Sequence, residues 1–124
     1  MPNDALISYR PVDADGLILA SLGGDLDLDC ADRVRDSLAE TAAGPDCRAL
    51  QVDVGELNFI DSYALGALVS ARNTAAAAGV ALTLINPSPP VRKALQVTGL
   101  ADVFGLPADR LTDRSTDRPV APTN

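Results

Sequence analysis

The chain has 124 residues, of which 47% are hydrophobic and only 3% aromatic, and it contains no tryptophan. This length supports one domain with a single aliphatic core and is too short for two domains. The net charge of −7 argues against direct binding to nucleic acid or to an anionic membrane surface, because both depend on basic patches.

The sequence predicts a cytoplasmic protein. Met1–Arg10 lacks the basic-then-apolar order of a secretory signal, and no apolar stretch approaches the roughly 20 residues that a membrane-spanning helix needs. Cys30 and Cys47 form no CxxC motif and stand where small buried residues would serve. We therefore expect them to be reduced structural thiols.

The first part of the chain predicts a hairpin followed by a helix. Ile7–Tyr9 and Leu17–Leu22 are short apolar segments joined by a turn-rich stretch, which indicates two antiparallel strands. The helix that follows is capped by Asp27 or Asp29 and ends at a Gly-Pro pair. Helical spacing places four residues on its inner face: Cys30, Val34, Leu38 and Ala42.

The second part of the chain predicts two strand–helix units and a final strand. Alternating apolar residues, helical periodicity and proline or glycine stops mark these segments. In chain order they are a strand at Ala49–Val54, a connector at Gly55–Ile60, a helix at Ser62–Ala78, a strand at Val80–Ile85, a helix that begins after Ser88 and ends at Gly99, and a short edge strand at Val103–Leu106.

This element order predicts a single α/β domain over residues 1–106. The sheet is expected to be mixed and mostly parallel, with about five strands and helices packed against it. Residues 107–124 are expected to form a short C-terminal segment and a mobile polar tail, because the composition becomes polar after Pro107.

Asp61 and Ser62 stand where the third strand gives way to a helix. A serine there is presented beside the unpaired N–H groups and the positive dipole end of the helix, a position that tolerates an added phosphate. The chain has no histidine and no nucleotide-binding loop, so another protein must carry out any modification. The alternative is that the pair only caps the helix, as both residue types favour.

No catalytic or metal site is predicted, and the chain is not expected to be an enzyme or to need a cofactor. Asp25, Asp27 and Asp29 are spaced like the start of an EF-hand loop, but its sixth position is a cysteine instead of glycine and its twelfth an aspartate instead of glutamate. Nucleophilic catalysis by Ser62 fails because the chain has no G-x-S-x-G motif and no histidine.

A receiver-type domain is an alternative of similar length. In that class an aspartate at the end of the third strand takes phosphate with the help of Mg²⁺, and Asp53 stands in about the right strand. The acidic pair expected after the first strand is missing, and the only lysine, Lys93, falls in a helix. Asp53 is more simply interpreted as a residue on the polar side of its strand.

Three segments resemble the STAS domain of bacterial anti-sigma factor antagonists, which are small cytoplasmic proteins of partner-switching circuits. Gly23–Asp27 resembles the family's G-x-L-D segment after the second strand. Leu57–Ser62 resembles the segment that ends in the phosphorylated serine, and Pro89–Leu100 resembles the penultimate helix. The three segments occur in the family's order and spacing.

The resemblance implies that Ser62 is the phosphoacceptor and that the chain binds an anti-sigma factor that is also a serine kinase. Binding by the unphosphorylated form would release a sigma factor, phosphorylation at Ser62 would prevent binding, and a metal-dependent protein phosphatase would reverse the modification. The residues expected to contact the partner are Asp25, Asp27, Asp61, Tyr63, Leu65 and Gly66.

The sequence departs from the family pattern directly after the phosphoacceptor. Family members commonly have serine or threonine and then glycine at these positions, whereas this chain has Tyr63 and Ala64. Tyr63 adds bulk to the expected docking surface. This departure leaves open an unmodified STAS scaffold or regulatory module whose serine is never phosphorylated.

Overall fold

The computed structural model describes residues 4–106, so the predicted C-terminal segment 107–124 lies outside the described residues. The elements in chain order are β1 (Leu6–Pro11), β2 (Leu17–Leu26), α1 (Leu28–Ala42), β3 (Ala49–Ile60), α2 (Ser62–Ala77), β4 (Ala81–Ile85), α3 (Pro89–Thr98) and a short 3-10 helix (Asp102–Phe104).

The strands form one mixed sheet in the order β1-β2-β3-β4. β1 is antiparallel to β2, as the predicted hairpin requires, while β2, β3 and β4 are parallel to one another. The predicted α/β fold with a mixed, mostly parallel sheet is therefore confirmed. The parallel arrangement brings the C-terminal ends of β2 and β3 together at the same end of the sheet, where Leu26 pairs with Ile60.

Helices α1 and α2 pack against each other. The connections β2–α1–β3 and β3–α2–β4 each lead to the next strand on the same side. Because such connections are right-handed, both helices lie on one face of the sheet. No helix within residues 4–106 is both long and apolar enough to cross a bilayer. The predicted inner face of α1 is confirmed, since its four members are all buried: Cys30, Val34, Leu38 and Ala42. Cys47 is also buried, and both cysteines are free thiols.

Strands β2 and β3 extend further than the sequence predicts. The segment Gly55–Ile60, expected to be a connector, continues β3 and pairs with the end of β2. The pairing includes two register shifts, one of them beside Gly24, whose φ of 98° is accessible to glycine. These shifts interrupt the alternation of apolar residues, which explains why the pattern ended early. Asp25 therefore lies in a strand rather than in a calcium-binding loop.

The predicted edge strand at Val103–Leu106 is wrong. Val103 and Phe104 belong instead to the 3-10 helix Asp102–Phe104, which has i to i+3 backbone bonds such as Phe104 N–H to Ala101 O at 3.1 Å. The sheet of the described residues thus has four strands instead of about five. The Phe104 side chain is fully buried, so this segment contributes one large side chain to the core instead of the alternating side chains of a strand.

Helix α3 starts and stops where the sequence predicts. Ser88 is the N-cap residue, Pro89 follows in the first turn, and Gly99 ends the helix with a φ of 72°. The Ser88 hydroxyl does not cap the helix, however, because it donates to the backbone oxygen of Leu57 at 2.7 Å. This bond ties the start of α3 to the extended part of β3.

Candidate functional site

The candidate site lies at the end of the sheet where β2 and β3 finish and α1 and α2 begin. α1 follows β2 after the single residue Asp27, and α2 follows β3 after the single residue Asp61. Each aspartate is the N-cap of its helix and adopts an extended backbone. The topology therefore brings two acid-capped helix starts together.

Asp61 joins the two helix starts through its side chain. One carboxylate oxygen accepts the backbone N–H of Ala64 at 2.8 Å and so caps α2. The other accepts the backbone N–H of Leu28, the first residue of α1, at 3.0 Å. The backbone N–H of Asp61 donates to Leu26 O at 3.2 Å, which closes the connection.

Asp27 and Asp25 are partly buried beside this junction. The Asp27 carboxylate accepts the backbone N–H of Asp29 at 3.1 Å, which is the N-cap bond of α1. The backbone oxygen of Asp25 accepts the N–H of Ala5 at 2.9 Å and the Cys30 thiol at 3.3 Å. Asp61, the residue before Ser62, contacts Leu28, the residue after Asp27, so the Asp25–Asp27 segment ends close to the start of α2.

Ser62 is the first residue of α2, and its side chain is exposed. The structure records no hydrogen bond from its hydroxyl to residues 4–106. The backbone N–H groups of the first helical turn lie beside it, with the positive end of the helix dipole. An exposed hydroxyl in this setting is accessible to a modifying enzyme and compatible with a phosphate.

Tyr63 connects α2 to α1 across the surface next to Ser62. Its hydroxyl donates to an Asp32 carboxylate oxygen at 2.6 Å, and the same oxygen forms an ion pair with Arg35 at 3.2 Å. The hydrogen bond to Asp32, with the charge of that carboxylate, raises the pKa of the Tyr63 phenol above its ordinary value. The phenol therefore stays protonated, and able to donate, at neutral pH.

Large hydrophobic side chains are exposed at both helix starts and in the strand that precedes α2. Leu28 is 62% exposed, Phe59 47% and Tyr63 46%. Neither Leu28 nor Phe59 stands out in the sequence, although Leu28 falls outside the apolar face of α1 and Phe59 follows the predicted alternating strand Ala49–Val54. We call Leu28 and Tyr63, with Ser62 and Asp61, the Ser62 surface.

Two further predicted contact residues have different environments. Leu65 is only 2% exposed, so its side chain belongs to the core and the Ser62 surface does not include it. Its place in the apolar period of α2 explains the burial. Gly66 is exposed, and a Cβ atom there would meet nothing within 4 Å.

Asp53 is partly buried in β3. It is the residue that would accept phosphate if the chain were a receiver-type domain. Its carboxylate accepts the backbone N–H of Gly55 at 2.9 Å and the Asn86 side-chain amide at 3.3 Å. The one group of at least three potential metal ligands within residues 4–106 is elsewhere and consists of Asp4, Asp27 and Cys30. Asp53 is therefore not a member of that ligand group, whereas receiver chemistry needs Mg²⁺ held beside the aspartate that takes the phosphate.

Comparisons with known proteins indicate the family to which the chain belongs. The family model described as "Mlab, STAS domain" matches residues 15–108. An anti-sigma F factor antagonist from Paenibacillus polymyxa is 27% identical over 91 residues, which cover 73% of this chain and 78% of that protein.

Two solved structures share the fold. The anti-sigma factor antagonist SpoIIAA in its unphosphorylated form is 22% identical with a TM-score of 0.68, over 86% of this chain and 96% of that chain. An anti-sigma factor antagonist from Mycobacterium paratuberculosis is 22% identical with a TM-score of 0.68, over 90% of this chain and 94% of that chain. Together with the family match, which spans most of the sequence, they confirm the resemblance predicted from three short segments: the chain belongs to the STAS domain family.

Proposed function

We propose that this protein is a non-enzymatic anti-sigma factor antagonist that acts in the cytoplasm. Its unphosphorylated form binds an anti-sigma factor that is also a serine kinase, and this binding releases a sigma factor. The observation that carries the proposal is the exposed Ser62 hydroxyl at the start of α2, directly after the Asp61 cap. The similarity to an anti-sigma F factor antagonist supports it.

Regulation in this proposal is a phosphoryl transfer to Ser62. The bond between the β,γ-bridging oxygen and the γ-phosphorus of ATP breaks, a bond from Ser62 Oγ to that phosphorus forms, the hydroxyl proton passes to a base of the kinase, and ADP leaves. A metal-dependent protein phosphatase hydrolyses the phosphoserine and restores the hydroxyl. The chain itself supplies only the acceptor and the surface around it.

Electrostatics explains how one phosphate could prevent docking. The phosphate adds about −1.5 to −2 charges at pH 7, next to the Asp61 carboxylate. Two unit charges about 5 Å apart interact by roughly 3 kcal/mol at an effective dielectric constant of about 20, and by less when solvent and salt screen them. Docking would strip solvent from these two like charges and so strengthen their repulsion, and about 1.4 kcal/mol already lowers affinity tenfold. A partner surface that fits the free hydroxyl would therefore bind the phosphorylated protein much more weakly. The N-terminus of α2 offsets part of this charge within the fold.

The apolar part of the Ser62 surface supports a protein partner. Exposed leucine and tyrosine side chains beside a polar residue are typical of docking sites, where a few such residues carry most of the binding energy. Leu28 and Tyr63 belong to different helices, which Asp61 and Asp32 hold together. The surface therefore exists before binding and needs little reorganisation.

Phosphorylation assays test the proposal directly. The protein is incubated with purified anti-sigma factor kinases and ATP, and the phosphate is mapped by mass spectrometry. We expect label on Ser62 that is lost in Ser62→Ala and kept in Ser70→Ala, a matched control because Ser70 is an exposed serine of the same helix. If none of the kinases labels either serine, the result contradicts the proposal.

Two alternatives give different results in related assays. An unmodified STAS scaffold, which the bulky Tyr63 favours, would bind its partner without ever accepting phosphate. A receiver-type domain would be labelled by acetyl phosphate in the presence of magnesium, and Asp53→Asn would abolish that label.

A further inference from the structure

We propose that Tyr63 determines which anti-sigma factor kinase this protein accepts. Its ring forms a fixed projection beside Ser62, so a partner needs a matching apolar recess to reach the serine. A partner whose surface is flat at this point would be excluded. This inference rests on the function proposed above and names a residue that selects the partner.

The position of the ring follows from its hydrogen bond. Tyr63 is the second residue of α2, yet its hydroxyl reaches Asp32 in α1 at 2.6 Å. Asp32 lies four residues after Leu28, so the two share one face of α1. The ring therefore spans the gap between the two helix starts, with exposed Leu28 on the same side and Ser62 next to it in the chain.

The ring is held in place rather than free to move aside. The Asp32 carboxylate accepts a hydrogen bond from the phenol and also forms an ion pair with Arg35 at 3.2 Å, which helps to orient the acceptor. A tyrosine fixed in this way loses little side-chain entropy on docking and presents a large contact area. The same rigidity penalises a partner with no recess, because the ring cannot rotate away without breaking the bond to Asp32.

Tyr63 contributes little to the core, so it can be changed without loss of the fold. The ring is nearly half exposed. The buried contacts of α2 come from other residues: Ala64, Leu65, Ala67, Leu68, Ala71 and Ala75. Tyr63 is not placed to carry out the phosphoryl transfer, and its expected role is to position the partner.

The test measures kcat/KM for phosphorylation of Ser62 by each member of a panel of purified anti-sigma factor serine kinases. We expect the wild-type protein to be strongly preferred by one kinase. Tyr63→Ser should lower kcat/KM for that kinase at least tenfold, mainly through a higher KM, and should leave the other kinases unchanged or faster. Tyr63→Phe keeps the ring but not its bond to Asp32, so its effect should be intermediate.

Tyr9→Phe is a matched control for the loss of a hydroxyl. The Tyr9 hydroxyl also bonds to α1, at 2.6 Å from the Ser37 hydroxyl, but it is outside the Ser62 surface. We expect this variant to show the wild-type preference among the kinases. Circular dichroism of all variants checks that the fold is kept.

The outcomes separate this inference from the proposed function. If Ser62 is labelled and Tyr63→Ser leaves the order of kinases unchanged, or slows all of them equally, Tyr63 does not set specificity although the proposed function stands. If no kinase labels Ser62 in the wild-type protein, the proposed function fails and this inference fails with it.

Discussion

The Asp61 carboxylate accepts the backbone N–H of Leu28 at 3.0 Å, across the gap between the first residues of two helices. The two residues are 33 positions apart in sequence. Because the second carboxylate oxygen caps α2, this side chain sets how the two helix starts face each other. The residue before the proposed phosphoacceptor thus organises the surface on which that phosphoacceptor is presented.

Replacing Asp61 should destabilise the fold and loosen this junction. Asp61→Ala removes two hydrogen bonds, so we expect a loss of about 2–3 kcal/mol in the free energy of unfolding, measured by urea denaturation. Asp61→Asn keeps one accepting oxygen for Ala64 and loses the bond to Leu28. Amide exchange should then become faster at Leu28 and stay slow at Ala64.

Asp29→Ala is the control for this prediction. Asp29 is an exposed acid of the first turn of α1, and its side chain forms no hydrogen bond or ion pair with residues 4–106, so its expected contribution is a favourable interaction with the helix dipole. Its removal should cost at most about 1 kcal/mol. Equal effects of Asp29→Ala and Asp61→Ala would show that general charge near helix starts, and not the cross-helix bond, accounts for the stability.

Charge at Ser62 should weaken partner binding, whereas removal of the hydroxyl should not. Ser62→Asp places a carboxylate beside Asp61, and we expect an affinity for the anti-sigma factor at least about tenfold lower, by isothermal titration calorimetry. Ser62→Ala should bind within a few-fold of the wild-type protein but escape regulation. Ser70→Asp, with the same charge about 12 Å further along α2, should bind normally.

Equal affinities of Ser62→Asp and Ser62→Ala would favour the unmodified scaffold over the proposed switch. In that case the exposed Ser62 would serve only as the first residue of a well-capped helix.

Two leucines near the site should respond in opposite ways to truncation. Leu65 is buried, so Leu65→Ala should cost about 2–5 kcal/mol of stability through the cavity that it leaves. Leu28 is 62% exposed, so Leu28→Ala should change stability by less than about 0.5 kcal/mol and weaken partner binding instead. Thermal unfolding together with calorimetry separates the two effects. A loss of binding without loss of stability in Leu65→Ala would contradict this assignment.

Local patterns were sufficient to predict much of the site. The cap preferences of Asp61 and Ser62 and the apolar period after them depend on residues that are close in sequence, so the start of α2 was correct. The same holds for the inner face of α1. Leu65 was expected to be a surface contact, but its side chain is buried. Resemblance to a motif does not show which residues of the motif face solvent and which face the core.

Contacts between distant segments could not be predicted in the same way. Neither the bond from Leu28 to Asp61 nor the bond from Tyr63 to Asp32 follows from spacing, because each depends on the packing of α1 against α2. The 3-10 helix at Asp102–Phe104 was missed for a related reason. A short apolar run fits a strand or a helix equally well until its packing partners are known.

The Tyr63 phenol should titrate above the ordinary value of about 10. Its hydrogen bond to Asp32 favours the protonated form, so the pKa is raised in the folded protein. A group whose pKa is raised on folding stabilises the fold fully below the ordinary value, and this stabilisation is lost as the pH rises through the raised value. Stability from the bond between Tyr63 and Asp32 should therefore persist at neutral pH and disappear only in strongly alkaline solution.

Phenolate absorbance can measure this titration for Tyr63 alone. The chain has two tyrosines and no tryptophan, so a Tyr9→Phe background leaves Tyr63 as the only phenol. In that background Asp32→Asn removes the accepting carboxylate and its charge, and the pKa of Tyr63 should fall towards the ordinary value. Arg35 favours the phenolate, so its charge should lower the pKa further once Asp32 is gone. An unchanged titration curve in Asp32→Asn would mean that the ring is not held against α1 in solution, and the selection of partners by Tyr63 would lose its physical basis.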